Sequence, residues 1–296
     1  MPWIQLQIPA DPDTADQLED LLMEMGADAV SMEDAADQPL YEPDPGTTPL
    51  WSQTTVTGLF QSDRDIDQLC ADVRNAWHQQ TQQSLSEIDV TLVEDKDWVR
   101  AWMDDYHPMP FGKRLWVCPS WREPPEADAV NLMLDPGLAF GTGTHPTTAL
   151  CLKYLDGAVE GNELVVDYGC GSGILGIAAL LLGAKHMIGV DIDPQALTAT
   201  GDNAERNGID ASQYEIYLPE ATPAVQADMT VANILAGPLM SLAPHMAELT
   251  RSGGKLALSR LLAEQADEVS ACYDQWFIMN PAEQMGDWVI LTGIKR

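Results

Sequence analysis

The feature that most constrains the fold is a glycine-rich segment near the middle of the chain, VVDYGCGSG at residues 165–173. Two valines typical of a buried strand precede three glycines at alternate positions, Gly169, Gly171 and Gly173, and an apolar helical pattern follows. Glycine is needed where the backbone takes positive φ values and where a ligand approaches the main chain closely. A strand, such a loop and a helix in this order predict a nucleotide-binding α/β domain.

Asp167 helps to choose between two classes of cofactor. The residues Gly171, Gly173 and Gly176 also satisfy the G-x-G-x-x-G pattern of dinucleotide enzymes, so the glycines alone leave both classes open. Asp167 stands two residues before Gly169, where a pyrophosphate-binding loop normally carries an apolar residue. A carboxylate there favours a cofactor that bears sulfonium and ammonium groups, as S-adenosylmethionine does. The alternative is an ordinary turn residue at the end of a strand.

Two further polar residues follow predicted strands. Asp191 ends the next strand, where a carboxylate accepts hydrogen bonds from both ribose hydroxyls. Its alternative role is to cap the following helix, although Asp193 before Pro194 is better placed for that. Asn233 begins the sequence Asn-Ile-Leu-Ala after another strand, where methyltransferases of amines and amides carry an Asn-centred motif. This motif predicts methyl transfer, and a structural turn asparagine is the alternative.

The second part of the chain alternates strands and helices from Glu163 onward, with helices expected over 174–182 and 194–206. Such alternation predicts a doubly wound, mainly parallel sheet covered by helices on both faces, a class I (Rossmann-like) α/β domain. The last two predicted strands have only a short connection. They are expected to form an antiparallel hairpin at the edge of the sheet.

The first part of the chain reads as two strand–helix–strand units. Ile4, Leu6 and Ile8 alternate as in a strand, and Ser62 is the expected N-cap of the second helix. Two such units predict a small ferredoxin-like α+β domain over residues 1–93. RNA-recognition modules share this architecture, but they need exposed aromatic residues and a basic face, which this sequence lacks. We therefore expect a protein-docking domain, a linker helix over 94–110 and a catalytic domain over 111–296.

The charge of the chain bears on its partners. Acidic residues outnumber basic ones by 46 to 15, which gives a formal net charge of −31. Such a surface repels nucleic acid and attracts cations, so it favours a basic protein substrate and argues against direct sequence-specific binding of nucleic acid. Salt adaptation of the host, or solubility, is the alternative cause of this charge.

Several patterns that the sequence lacks bear on the expected location of the protein. Its five cysteines contain no C-x-x-C pair, and no cluster has metal-ligand spacing, so we expect neither a disulfide framework nor a metal. No apolar run is long enough to cross a bilayer, and the first residues lack the pattern of a signal peptide. These features predict a cytoplasmic protein without membrane association.

Five segments together, in this order, resemble the bacterial ribosomal protein L11 methyltransferase family, also called protein methyltransferase A. They are LDPGLAFGTGTHPTT, VVDYGCGSGILGIAAL, GVDIDPQAL, DNAERNG and VANILAGPL. The resemblance extends over essentially the whole chain, and FGTGTHPTT is far more specific than the glycine loop.

The resemblance implies N-methylation of lysine side chains and of the N-terminal amine of ribosomal protein L11, up to trimethylation, free or on the large subunit. It implies that Thr148, Gly169, Asp191 and Asn233 contact S-adenosylmethionine. It also implies that a segment with Phe140, Gly141, Thr142 and His145 closes over cofactor and target. We further expect a monomer.

Catalysis is expected to rest mainly on orientation, because the methyl group of a sulfonium is already activated. We hypothesise that the Asn233 side-chain oxygen and the Ile234 carbonyl accept hydrogen bonds from the target amine. His145 is a candidate general base, and a helix-capping or loop-ordering histidine is the alternative.

Other classes of function remain as alternatives. A class I methyltransferase of RNA, a small molecule or a release-factor glutamine is one, although release-factor enzymes usually carry Asn-Pro-Pro-Tyr in place of Asn-Ile-Leu-Ala. A noncatalytic ribosome-associated module and an NAD-dependent oxidoreductase are the others. Titration with S-adenosylmethionine and with a nicotinamide cofactor separates them.

Overall fold

The computed structural model describes residues 2–36, 38, 49–85, 87–94, 106–126, 128–135 and 144–296. The chain forms two compact units, Met1–Met103 and Asp104–Arg296. Residues 95–105 of the predicted linker helix, and the predicted site residues Phe140, Gly141 and Thr142, lie outside the described residues. At its described end the predicted helix is wrong, because Met109 and Pro110 form part of a strand.

The described residues of the first unit form one antiparallel sheet and two helices. In chain order its elements are β1 (Trp3–Ala10), α1 (Ala15–Glu24), β2 (Ala29–Asp34), β3 (Thr54–Gln61), α2 (Ile66–Thr81) and β4 (Asp89–Val93). The strand order across the sheet is β2-β3-β1-β4. Alternate residues of β1 are buried as the sequence predicts, because Ile4, Leu6 and Ile8 point to the same face of the sheet and form its core with the two helices.

The helix start of α2 corrects one expectation. The N-cap is Asp65, whose Oδ1 accepts a hydrogen bond from the Gln68 amide at 2.9 Å. Ser62 lies instead in the turn that follows β3, too far ahead of Ile66 to bond the first free amides of the helix.

The second unit begins with a three-stranded sheet and continues into a larger one. The small sheet contains β5 (Met109–Phe111), β6 (Leu115–Cys118) and β7 (Val130–Met133). The remaining α-helices and strands of the described residues are α3 (Pro146–Ala158), β8 (Leu164–Tyr168), α4 (Ile174–Leu181), β9 (His186–Val190), α5 (Pro194–Arg206), β10 (Tyr214–Tyr217), β11 (Ala227–Asn233), α6 (Ala236–Leu249), β12 (Thr250–Leu262), α7 (Ala266–Tyr273), β13 (Phe277–Met279), β14 (Glu283–Met285) and β15 (Trp288–Lys295).

The larger sheet is mixed, with the order β10-β9-β8-β11-β12-β15-β13 and with β14 paired to β15. The first five strands in this order run parallel, and β15 runs antiparallel to both β12 and β13. The antiparallel edge is present as the sequence predicts, with β15 inserted between β12 and β13. The strand order reverses at β8, because β9 and β10 lie on one side of it and β11 and β12 lie on the other. A ligand crevice is therefore expected at the carboxyl ends of β8, β9 and β11.

Helices cover both faces of this sheet. Val165 packs in the core beneath α3 and α4, whereas its neighbour Val166 packs in the core beneath α6 and α7. Burial of successive residues on opposite faces explains why the central strands are continuously apolar. Within the described ranges, no helix is long and apolar enough to span a membrane.

Candidate active site

The glycine loop lies between β8 and α4 and takes the conformation that the sequence predicts. Gly169, Gly171 and Gly173 have φ values of +77°, +57° and +78°. The amides of Gly169 and Cys170 both donate to the Val190 carbonyl, at 2.7 and 3.0 Å. The loop is thereby fastened to the end of β9, which leaves the backbone between Gly171 and Gly173 beside Asp191.

Asp191 stands at the carboxyl end of β9 and supports the loop directly. Its Oδ2 accepts a hydrogen bond from the Gly171 amide at 2.8 Å, and its Oδ1 accepts one from the Asp193 amide at 3.0 Å. Asp193, rather than Asp191, is the N-cap of α5, where it accepts from the Gln195 amide at 2.8 Å. Asp191 is therefore not needed to cap the helix.

Asp167 is fully buried at the end of β8. Its Oδ2 accepts a hydrogen bond from the Gly176 amide at 2.9 Å, and no donor in the described part of the chain reaches its Oδ1. Burial raises the pKa of this carboxyl to about 7, opposed by the Gly176 hydrogen bond and reinforced by the charge of Asp191. A buried carboxyl with one free acceptor oxygen is suited to a donor or cation supplied from outside the protein.

Asn233 ends β11, beside β8 in the sheet, and is almost fully buried. Its Nδ2 donates to Thr148 Oγ1 at 3.2 Å, and its Oδ1 has no hydrogen-bond partner among the described residues. Ile234 packs against the glycine loop, since a Cβ placed on Gly169 would come within 2.2 Å of Ile234 Cγ2. Thr148, Asn233 and the loop therefore form one continuous site.

His145 is the N-cap of α3. Its Nδ1 lies 2.8 Å from Thr147 Oγ1 and accepts a hydrogen bond from the Thr147 amide at 3.3 Å. Its ring meets Trp288 edge to face, with 4.7 Å between ring centroids. Burial, and secondarily the charge of Arg260, lower the pKa of the imidazole below its usual value. This shift favours the neutral imidazole, and Nδ1 serves to order the helix start.

The sequence analysis missed two residues of α5 whose side chains donate hydrogen bonds to carbonyl groups of the glycine loop. Asn203 Nδ2 donates to the Ser172 carbonyl at 2.8 Å, and Thr200 Oγ1 donates to the Gly171 carbonyl at 3.1 Å. Another asparagine of the same helix end, Asn207, bonds both the amide and the carbonyl of Met133 on β7, at 2.7 and 2.8 Å. Asparagine is a poor helix former, so its repetition in DNAERNG was a signal of tertiary hydrogen bonds.

Ile192 is a further residue of the site that the sequence analysis missed. It lies between Asp191 and Asp193 and exposes 81% of its surface at the carboxyl end of β9. A large, exposed apolar side chain beside a ribose-binding candidate offers an apolar contact to a ligand. The sequence signal was an isolated apolar residue in an acidic loop.

Comparison with known proteins identifies the family to which the chain belongs. The family model described as Ribosomal protein L11 methyltransferase (PrmA) matches residues 2–296. The chain belongs to the ribosomal protein L11 methyltransferase family. The family that the five sequence segments resemble is thereby confirmed, and with it a methyltransferase dependent on S-adenosylmethionine.

Two relatives of the L11 methyltransferase family match this chain over its full length, and a solved structure matches part of it. A ribosomal protein L11 methyltransferase of Marinobacter nauticus is 72% identical, covering 100% of this chain and 99% of the relative. One of Azotobacter vinelandii is 54% identical and covers 100% of both chains. The crystal structure of a ribosomal protein L11 methylase from Lactobacillus delbrueckii subsp. bulgaricus has a TM-score of 0.58 at 33% identity, covering 64% of this chain and 100% of that one.

Proposed function

We propose that this protein transfers methyl groups from S-adenosylmethionine to lysine side chains and the N-terminal amine of ribosomal protein L11, up to trimethylation. The proposal rests on the hydrogen bonding of Asn233. Its buried Oδ1 has no donor among the described residues, while its Nδ2 donates to Thr148 Oγ1. An acceptor oxygen kept unpaired at the crevice is suited to the N–H group of an incoming amine.

The cofactor side of the site lies over β8 and β9. Asp191 is placed to accept hydrogen bonds from a ribose, Ile192 to cover the base, and Gly169, Gly171 and Gly173 to let the cofactor approach the backbone. The free Oδ1 of Asp167 suits a cation. When bound, S-adenosylmethionine supplies a methyl group that is already activated by its sulfonium. Thr148 is a further proposed contact. Phe140, Gly141 and Thr142 remain proposed contacts through the family resemblance.

The acceptor side lies at Asn233 and Ile234. The Asn233 Oδ1 and the Ile234 carbonyl accept the hydrogens of the amine and thereby aim its lone pair. A lysine amine with a pKa of about 10.4 must lose a proton first, and both burial and a neighbouring positive charge favour that loss. The proton passes to water, and capping of α3 by His145 keeps Thr148 in place. This leaves His145 as a candidate base that the reaction does not require.

The first unit is proposed to recognise the substrate. Its order β-α-β-β-α-β and its strand order β2-β3-β1-β4 support a ferredoxin-like domain over 1–93, followed by a linker over 94–110 and the catalytic domain over 111–296. The formal charge of −31 supports a basic partner, as a ribosomal protein is. We propose that the protein acts as a monomer in the cytoplasm, on L11 that is free or on the large subunit.

The test is mass spectrometry of purified L11 after incubation with the protein and S-adenosylmethionine. Mass increments of single methyl groups, mapped to lysines and the N-terminus, are the expected result. An unchanged mass of L11, with S-adenosylmethionine still bound by the protein, would overturn the substrate. Loss of the increments in Asn233→Ala is the control that excludes a contaminating enzyme and a noncatalytic module.

A further inference from the structure

Arg260 has an unusual backbone conformation near the end of β12. Its φ is +69°, and among the described residues only Gln82 and Asn162 are other non-glycine residues with positive φ. The pairing of β12 with β15 also shifts register between Leu258 and Leu261, so Arg260 lies in a bulge. A long side chain in the left-handed region is disfavoured, and such strain is concentrated at functional sites.

The sheet places Arg260 on a defined side of Asn233. In the parallel pairing of β11 with β12, Asn233 is opposite Ser259, and Arg260 is the next residue toward the carboxyl end. The other neighbour of β11 is β8, which carries Asp167 and the glycine loop. Arg260 and the cofactor-binding residues therefore flank Asn233 from opposite sides. If the cofactor lies over β8 and β9, as the proposed function requires, Arg260 is on the side of the methyl acceptor.

Two positive features lie near this end of β12, the side chain of Arg260 and the N-terminus of α3. Arg260 is half-buried, and its charge reaches the ring of His145, which caps the N-terminus of α3. A helix N-terminus carries a partial positive charge of its own. The opposite flank contains the carboxylates of Asp167 and Asp191. Arg260 and the acidic side chains of the cofactor side thus lie on opposite sides of Asn233.

We propose that Arg260 is an electrostatic determinant of the acceptor subsite, whose charge disfavours the bound ammonium form of the target and the trimethylammonium of the finished product. The inference rests on the proposed function, because it requires a cationic amine as the substrate. It assigns to Arg260 a role in specificity and turnover, while Asn233 and Ile234 contact the amine.

The kinetic consequence is a linked change in kcat and KM. The bound ammonium carries a full positive charge on nitrogen. After the proton has passed to water, the nitrogen lone pair forms the N–C bond as the C–S bond breaks, and in the transition state the nitrogen carries only part of a positive charge. The charge of Arg260 therefore weakens the ground state more than the transition state, so it raises KM and kcat together.

The experiment is steady-state methylation of L11 by the full-length protein and three variants. Arg260→Gln and Arg260→Gly remove the charge, and Arg260→Lys keeps it. Glycine also accepts the positive φ without strain, so loss of folding does not account for an effect shared by the glutamine and glycine variants. We expect kcat and KM each to fall about fivefold in both neutral variants, the scale of one charge acting at a partly exposed site. Arg260→Lys should stay within about twofold of the unchanged protein.

A second measurement is independent of turnover. The inhibition constant of fully trimethylated L11 should fall about fivefold in the two neutral variants, because a permanent cation is no longer repelled. A fall in kcat with KM unchanged or raised would overturn the inference in favour of a structural role, as would a lysine variant that behaves like the neutral ones. If the unchanged protein methylates no L11 at all, the proposed function fails first and the inference fails with it.

Discussion

Asn233 and Thr148 join the end of β11 to the first turn of α3, with 3.2 Å between Asn233 Nδ2 and Thr148 Oγ1. Both side chains are buried, so the hydrogen bond fixes the amide plane of Asn233 without competition from water. The consequence is that Oδ1, for which no described residue is a donor, faces a defined direction. The relationship makes Thr148 a positioning residue for the acceptor site.

Substitution of Asn233 and Thr148 should lower turnover of L11 more than it lowers the affinity for S-adenosylmethionine. Asn233→Ala is expected to lower kcat for L11 by about 100-fold, the scale of one lost positioning hydrogen-bond group, and to change the affinity for S-adenosylmethionine by less than about fivefold. Thr148→Val should lower kcat about tenfold because the Asn233 amide loses its anchor. Thr148→Ser, which retains the hydroxyl, is the control. Equal losses of turnover and cofactor affinity in Asn233→Ala would contradict the assignment of Oδ1 to the amine.

Three glycines offer a graded test of the loop. Gly157 has open space around a built Cβ and an ordinary helical position, Gly208 has open space but a φ of +67°, and Gly169 has a φ of +77° together with a contact of 2.2 Å to Ile234. Alanine at Gly157 should raise the free energy of unfolding by up to about 1 kcal/mol. Alanine at Gly208 should lower it by about 1 kcal/mol.

Alanine at Gly169 should lower the free energy of unfolding by more than the Gly208 substitution does, because steric overlap adds to strain. It should also abolish binding of S-adenosylmethionine, whereas the other two variants bind normally. Calorimetric titration and denaturant unfolding of all three variants check this order. Cofactor binding retained in Gly169→Ala would show that the loop tolerates displacement of Ile234.

The pKa of Asp167 predicts a pH dependence of stability. Burial raises it from 3.8 to about 7, so the folded protein binds this proton more tightly than the unfolded chain does. The contribution of the group to stability is therefore fully present below about pH 4 and is lost as the pH rises through about 7. Asp167→Asn, which stays neutral, should gain stability relative to the unchanged protein between pH 5 and 8, as read from denaturant unfolding at both pH values. A constant difference between the two proteins would contradict the raised pKa.

The same carboxyl should couple cofactor binding to protons. If a cation pairs with ionised Asp167, S-adenosylmethionine must displace a proton below pH 7, so its affinity should fall as the pH falls from 8 to 6. Asp167→Asn should bind more weakly and with a smaller pH dependence. Calorimetric titration in two buffers of different ionisation enthalpy measures the released proton directly. Equal affinities of the unchanged protein at pH 6 and pH 8 would exclude the pairing.

Much of the fold was predictable because it depends on local periodicity. The alternation of Ile4, Leu6 and Ile8 gives β1, and the glycines at 169, 171 and 173 give the positive φ values that were expected. These patterns are readable because each follows from the geometry of one element.

The features that were not predicted depend on contacts between elements. The insertion of β15 between β12 and β13 is a matter of sheet order, which strand periodicity does not encode. The positive φ of Arg260 has no compositional signal, since glycine or asparagine is the usual marker. Asp65 caps α2 although Ser62 is also a good capping residue, because the length of the turn decides between them.

His145 provides a test between a capping and a catalytic role. Its Nδ1 bonds the Thr147 amide and hydroxyl, a geometry that asparagine can reproduce with its side-chain oxygen. His145→Asn should therefore retain most of the turnover, and His145→Ala should lose about 1 kcal/mol of stability and part of the turnover. A loss of kcat beyond about 100-fold in His145→Asn, with stability unchanged, would instead identify the imidazole as the general base.

Asn203 holds the glycine loop through the Ser172 carbonyl at 2.8 Å, and both residues are buried. Asn203→Ala removes this buried hydrogen bond, which should cost about 1–3 kcal/mol of stability and loosen the loop. We expect S-adenosylmethionine affinity to fall about tenfold. Asn280→Ala is the control away from the loop, because Asn280 is an exposed asparagine that donates to Thr292 Oγ1 at 3.0 Å at the β13–β15 edge. Calorimetric titration of both variants decides the matter: a similar loss of affinity in the two would mean that lower global stability, and not the position of the loop, weakens cofactor binding.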